Sequence, residues 1–308
     1  MSDVEDTNVS GEEDGQEKSG ERSEELVQSL TQTHIEEGLS LLGKTGNGLG
    51  HAFIKLDLKE RGLSDISAIS KFIHIRFLDL SNNHLSDFSP VASLTQLLWL
   101  KAESNEIQSF RTQPFSQLTY LQWLNVAANL LTDTKDLVGP SSLETLNLIG
   151  NAIEKLSCLE SARFPNLATL ELRGNRLDTI EGIHLKNLRH LYLGQNVITR
   201  LVGLEKLERL KTLHLRENQL QTLDGINSNM RCLQYLNVRG NNIAEERAIQ
   251  SLKHVSKTLQ ILIISENPLA ESSDYRINIV MICPTLERLD KDPVTFDERL
   301  EAKDNLKV

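Results

Sequence analysis

The sequence predicts an α/β solenoid, a horseshoe of about ten leucine-rich repeats with a helical cap at the N-terminal end and a second cap at the C-terminal end. Three observations carry this. Leu143–Ile153 reads Leu-x-x-Leu-x-Leu-x-x-Asn-x-Ile. The same register returns with Asn at 83, 105, 129, 151, 175, 196, 218, 241 and 267. The steps between these asparagines run from 21 to 26 residues, a period at which one strand and a short return make one coil.

The residue types have physical reasons. Leu146 and Leu148 alternate as on a strand, so both point to one face, while Thr145 and Asn147 point to the other. The asparagine falls where the strand turns out of the sheet. Its amide both donates and accepts, so it can satisfy turn groups that would otherwise cost about 1–3 kcal/mol each if buried unpaired. One repeat cannot bury its own leucines; a stack of them makes a continuous core.

Taken in order, residues 1–24 hold nine acids against two bases and almost nothing apolar. This predicts a disordered acidic tail, solvated or used for docking or phosphorylation. Residues 25–52 read as a helical cap. Leu26, Leu30, Ile35, Leu39 and Leu42 fall on a roughly helical spacing, Thr33 with Glu36 forms a possible capping box, and Gly43 is a natural stop. Gly38-x-x-x-x-Gly43-Lys44-Thr45 fits a phosphate-binding loop pattern. Its four intervening residues read as helix, and no buried strand precedes it, so nucleotide binding is not expected.

The repeats occupy 53–272. The first is irregular (Phe53, Leu56, Leu58, Leu63), with Arg61 in the asparagine slot. The return segments are short and carry one apolar residue each (Phe88, Phe110, Leu156, Ile180, Leu201, Leu223), which suits a 3₁₀ turn. Ala244–Lys257 has room for an α-helix with Ile249, Leu252 and Val255 inward. Residues 273–294 form the C-terminal cap. Ser273 or Asp274 caps a helix over Tyr275–Ile282, Cys283-Pro284 stops it, and Leu286-x-x-Leu289-Asp290 is half a repeat. Residues 295–308 read as a charged, helical, exposed end.

Charge and composition narrow the function. A net charge of −10 disfavours nucleic acid, which needs a basic stripe. No apolar stretch approaches a membrane span, and the acidic N-terminus has no apolar run of a secretory signal. Cys158, Cys232 and Cys283 are far apart and odd in number, which suits core thiols in a reducing, intracellular compartment. No catalytic motif is present, and no Cys or carboxylate cluster at ligand spacing joins the histidines, so no enzyme activity, metal, cofactor or small-molecule substrate is expected.

The exposed faces of the strands line up in columns along a concave sheet roughly 50 Å long. Phe77, Trp99 and Trp123 fall beside one another, next to Lys101 and Asn125. Nothing in a leucine core needs them there, and exposed aromatics are typical interface anchors. Aromatic neighbours also stabilise sheets by about 0.2–1 kcal/mol a pair. A second cluster gathers His190, Tyr192, His214 and Tyr235 with Arg173, Arg216 and Arg239. It reads as a basic pocket for an acidic or helical partner segment, or as ordinary solvated charge.

Particular stretches go beyond the repeat consensus. The block Glu36–Arg61, LLWLKA at 97–102, ELRGN at 171–175, LQYLNVRGN at 233–241 and LERLDK at 286–291 resemble the leucine-rich repeat-containing protein 23 family. The GLSLLGKTGNGLGHA segment, at 38–52, is no repeat consensus and carries most of that resemblance. It implies a non-enzymatic component of the axonemal radial spoke in cilia and flagella, the sperm flagellum in particular. Other radial spoke and axonemal proteins would be its partners, and motility its purpose. Members of that family tend to carry a longer charged C-terminal extension than the stretch ending at Val308. The C-terminal cap, Tyr275-Arg276…Pro284-x-Leu286-x-x-Leu289-Asp290, also looks like the phosphatase-regulator type of repeat protein. That likeness implies, as an alternative, a regulatory subunit of a serine/threonine phosphatase.

Overall fold

The computed structural model describes residues 28–46 and 48–306. The acidic stretch 1–24, Leu26 and Val308 lie outside the described residues.

Helix α1 (Gln32–Gly38) leads into strands β1 (Leu39–Lys44) and β2 (His51–Asp57). One short strand per repeat follows: β3 (Phe77–Asp79), β4 (Trp99–Lys101), β5 (Trp123–Asn125) and β6 (Thr145–Asn147). Beyond them lie β7 (Leu159–Glu160), β8 (Thr169–Glu171), β9 (Ile183–His184), β10 (His190–Tyr192), β11 (Thr212–His214), β12 (Tyr235–Asn237) and β13 (Ile261–Ile263). Helix α2 (Tyr275–Ile282), strands β14 (Arg288–Leu289) and β15 (Asp292–Pro293), and helix α3 (Phe296–Asn305) close the chain. Thirteen strands form one sheet, parallel from β2 to β14, with an antiparallel strand at each end. Strands β7 and β9 pair separately.

The register repeats at every step. Leu78 pairs with Leu100, Leu100 with Leu124, and so on through Leu236 with Leu262. These leucines are closed to solvent and belong to one core running the length of the stack. The asparagine ladder stands beside it. Asn151 Nδ2 donates to the carbonyls of Val126 (3.1 Å), Leu148 (3.0 Å) and Ile149 (3.4 Å), and its Oδ1 accepts from Leu131 N (3.2 Å). Each amide therefore ties its own turn to the preceding coil. In the irregular first repeat, the backbone N–H of Arg61 donates to Asn83 (3.1 Å), so the ladder starts one repeat later.

The ends differ from the expectation. α1 is capped by Thr31 and His34, two residues earlier than the Thr33–Glu36 box, and it ends at Gly38 rather than Gly43. Leu39–Leu42 is strand, not helix. The reason is steric: a Cβ on Gly38 would lie 2.3 Å from the Asp57 carbonyl oxygen, so only glycine lets the chain turn there onto β2. The phosphate-loop pattern thus runs from the last residue of α1 along β1 of a hairpin to Thr45 just beyond it, rather than along a loop from a strand to a helix. Phe53 is exposed on β2 rather than a core member.

Glu246–Val255 is a ten-residue 3₁₀ helix, not an α-helix. Its inward residues Ile249, Leu252 and Val255 recur every third position, which matches 3.0 residues per turn rather than 3.6. Leu223 N donates to Ala248 O (2.8 Å), pinning it to the previous repeat. Two return segments carry the side strands β7 and β9 instead of a 3₁₀ turn. α2 spans the predicted residues, but neither Ser273 nor Asp274 makes the side-chain cap. α3 is not simply exposed: Ala302 is buried, Arg276 Nε donates to Glu298 (2.6 Å), and Arg299 donates to the Leu286 carbonyl (2.6 Å). All three cysteines are free, yet only Cys283 is a core thiol, pushed up to about 12 by burial. Cys158 and Cys232 are half-exposed.

Candidate functional site

The strand register brings the predicted concave residues into two neighbouring groups. In the first, Phe77 on β3 faces Trp99 on β4, which faces Trp123 on β5. The two indoles stack with centroids 4.5 Å apart and planes 10° from parallel. All three rings are half-exposed, because the core side of each strand is already filled by leucine. Lys101 sits on the same face and pairs with Glu103 at 3.2 Å. Asn125 does not present itself in the same way. It is only 4% exposed; its Oδ1 accepts from Ala127 N (2.8 Å) and its Nδ2 donates to Glu103 (3.1 Å). Its amide shapes the turn.

In the second group, Tyr192, His214 and Tyr235 step across β10, β11 and β12. Tyr192 lies 5.1 Å from His214, and His214 stacks on Tyr235 at 4.9 Å. The Arg173 guanidinium covers Tyr192 at 5.6 Å, within cation–π range. His190 Nδ1 shares a hydrogen bond with Thr212 Oγ1 at 3.1 Å. Burial pushes the pKa of both histidines down; for His214 the Arg173 charge adds to it, and for His190 Lys211 and Arg189 do. Both effects favour the neutral form of the ring. Burial also raises the Tyr192 hydroxyl, and raises the Glu171 carboxyl against the pull of Arg173.

The cluster is less basic than its residue types suggest. Arg173 Nε pairs with Glu171 at 2.9 Å, Arg216 with Glu217 at 2.5 Å, and Arg239 with Glu266. Three guanidiniums meet three carboxylates, so the group is an aromatic staircase edged by closed ion pairs. Sequence reading missed Glu217 and Glu266. They precede the ladder residues Asn218 and Asn267, a slot that takes a left-handed backbone in every repeat. Glycine fills that slot at 150, 174 and 240, whereas Asn82 reaches Glu60, Gln195 reaches Glu217 and Glu266 reaches Arg239 across neighbouring coils. The residue before each ladder asparagine was the available signal.

Among the described residues, no group of three or more His, Cys, Asp or Glu could hold a metal, and no helix is long and apolar enough to cross a membrane. A phosphatase-docking motif reads basic residue, Val or Ile, any residue, Phe; the nearest segments, His74–Phe77 and Pro293–Phe296, lack the basic residue, and their Ile75 and Val294 are buried in the core.

A single leucine core, an asparagine ladder and a parallel sheet with one half-exposed face define a leucine-rich-repeat protein. The family described as "Leucine-rich repeat" matches residues 160–308, and a second, described as "Leucine Rich Repeat", matches residues 74–95. Solved internalins of Listeria monocytogenes share the fold. InlJ superposes with a TM-score of 0.56 at 23% identity over 76% of this chain and 47% of its own, and inlF with 0.51 at 21% over 79% and 74%. Relatives named leucine-rich repeat-containing protein 23 are much nearer. The Homo sapiens protein is 45% identical over 277 residues, covering 90% of this chain and 79% of its own. The Mus musculus protein is 43% identical over 293 residues, covering 95% and 85%. The chain belongs to the leucine-rich repeat-containing protein 23 family. Repeat fold and family together make it a protein-interaction scaffold.

Proposed function

We propose that the chain is a non-enzymatic structural component of the axonemal radial spoke, holding other spoke proteins on its concave face and so supporting ciliary and flagellar motility. The observation that carries the partner surface is the stacked Trp99–Trp123 pair. Two half-exposed indoles on a sheet whose core needs neither offer a large rigid apolar area at low entropic cost. The staircase of Tyr192, His214 and Tyr235 extends that area along the sheet. Family membership supports the ciliary setting.

Two measurements test this reading. The tagged protein in flagellated cells should remain with the axoneme after detergent extraction, at the regular spacing of the spokes; release into the cytosol removes the spoke assignment. In parallel, Trp99→Ala/Trp123→Ala should weaken capture of spoke proteins by about 1–3 kcal/mol per hot-spot indole. Stability should change far less, by about 1 kcal/mol, because the lost contact is a cross-strand pair on a half-exposed face. Equal capture by wild type and double variant ends the concave-face reading.

A further inference from the structure

The arginines of the concave face are neutralised, but another set of cations is not. Arg189, Arg209, Lys211, Arg231 and Lys257 are all exposed. Among the described residues, none lies within ion-pair distance of a carboxylate. They sit together on the margin of the sheet where β10 to β13 begin. The backbone shows the adjacency: Lys211 N donates to Arg189 O (2.8 Å), Gln234 N to Lys211 O, and Gln260 N to Gln234 O (both 2.9 Å). Arg209 donates to Asn187 of the preceding coil at 2.8 Å.

Two shallow hollows open along this margin. One is lined by Arg189 and Arg209, the other by Lys211, Arg231, Lys257 and the half-exposed thiol of Cys232. Glu144 lines the far end of the first hollow and Glu287 lines the second. A protein of net charge −10 thus carries a run of five unpaired cations bounded by acids. Like charges held this close repel one another, and an anionic ligand relieves that.

We propose that this margin is a docking groove for an extended acidic polypeptide segment of a partner protein. Three strand spacings of about 4.8 Å separate the coils of Arg189 and Gln260, so a stretch of about five or six extended residues spans it. The extent of the run favours a short polypeptide over a nucleic-acid duplex: the five cations lie between Glu144 and Glu287 over about three strand spacings, enough for a short run of carboxylates but not for the long basic stripe that a duplex needs. The groove is separate from the concave aromatic row and does not depend on the spoke assignment.

The test uses the full chain and a fluorescent hexaglutamate peptide, with a single-stranded oligonucleotide of equal charge as the other anionic class. Binding is read by anisotropy at low and high salt, and the alkylation rates of Cys232 and Cys158 are followed. The peptide should bind more weakly as salt rises, and should slow alkylation at Cys232 but not at Cys158. Arg189→Glu/Lys211→Glu and, independently, Arg231→Glu/Lys257→Glu should each weaken binding about tenfold. Arg176→Gln, which removes an exposed charge already paired with Glu154 and belongs to neither the groove nor the concave clusters, should leave it unchanged. These are exposed side chains, so a thermal melt matching wild type separates lost binding from lost folding. Absence of peptide binding, undiminished binding to both reversed chains, or tighter binding of the oligonucleotide overturns the proposal. So does a Cys232 that is protected in the chain alone and freed by salt, since the occupant would then be the chain's own acidic residues 1–24.

Discussion

Between Asn83 and Asn267 every coil is tied to the one before it by an asparagine amide that donates and accepts, whereas beyond Asn267 the stack is tied by a carboxylate that only accepts. Asp290 Oδ1 takes the N–H groups of Ile264 (2.8 Å) and Ser265 (2.7 Å), and its other oxygen accepts from the Tyr275 hydroxyl at 3.2 Å. An inner asparagine closes carbonyls of its own turn and of the preceding coil while accepting an N–H from that coil. At Asp290 the groups met are N–H and O–H donors, so a carboxylate serves. The sheet margins differ as well. β15 is two residues long and contains Pro293, which blunts further pairing, whereas β1 runs six residues at the other end. The middle of the molecule is one solution repeated, and each end is a separate solution to the same problem of stopping.

That contrast can be broken hardest in the middle. Leu146→Ala removes a fully buried side chain with a leucine neighbour on each flanking strand, and should cost about 2–5 kcal/mol by denaturant unfolding. Asn151→Ala should follow at about 2–3 kcal/mol, since three carbonyls and one N–H lose their partner at once and water cannot reach all of them. Asp290→Ala should cost less, about 1–2 kcal/mol, because the last turn is only half-buried and solvent takes up part of the loss. An Asp290→Ala effect larger than that of Asn151→Ala would show that the end, not the ladder, limits the stability of the stack.

Acid separates the regions further. The Arg276 guanidinium, followed by the Thr295 cap, holds the Glu298 carboxyl at about 2, well below its ordinary value. A carboxyl depressed in the folded state contributes stability above the unfolded pKa near 4.5 and loses it as pH falls toward 2. After allowance for solvent screening that contribution is about 1 kcal/mol. The asparagine ladder has no ionisable member. Hydrogen exchange followed from pH 5 to pH 2 should therefore show α2 and α3 loosening while the strands from β5 to β12 stay protected. Simultaneous loss in both regions would mean that the C-terminal clamp and the ladder unfold as one unit.

The same division decides what could be read in advance. The strands and the ladder were legible because one period fixes the core leucines, the turn amide and the exposed columns together. The Trp99–Trp123 stack follows from that register alone. The failures lie where the period stops or is filled by other chemistry. Leu39–Leu42 fits a helical spacing as well as a strand, and only the close approach of Gly38 to Asp57 decides between them. Ile249, Leu252 and Val255 signalled a 3₁₀ helix by their three-residue interval, and the greater length available favoured an α-helix instead. The pairing of the Arg216 and Arg239 charges depends on Glu217 and Glu266, which sit outside the strand columns and reach the arginines from the turn.

The smallest expected effect compares the two capping boxes. At one end of the stack the Thr31 hydroxyl accepts from His34 N (3.3 Å) and His34 Nδ1 accepts from Thr31 N (3.4 Å). At the other, the Thr295 hydroxyl accepts from Glu298 N (3.2 Å) and Glu298 accepts from Thr295 N (2.7 Å). The motif is the same, but the C-terminal box uses a carboxylate that also holds Arg276, and its contact is much shorter. Charge-assisted hydrogen bonds are the stronger kind, and a carboxylate at a helix N-terminus also meets the positive end of the helix dipole. Thr295→Ala should therefore cost about 1 kcal/mol, whereas Thr31→Ala should cost about half as much. Thermal melts of the two single variants measure the difference. The reverse order would mean that α1, a helix of only seven residues, holds the first coil in place more firmly than α3 holds the last.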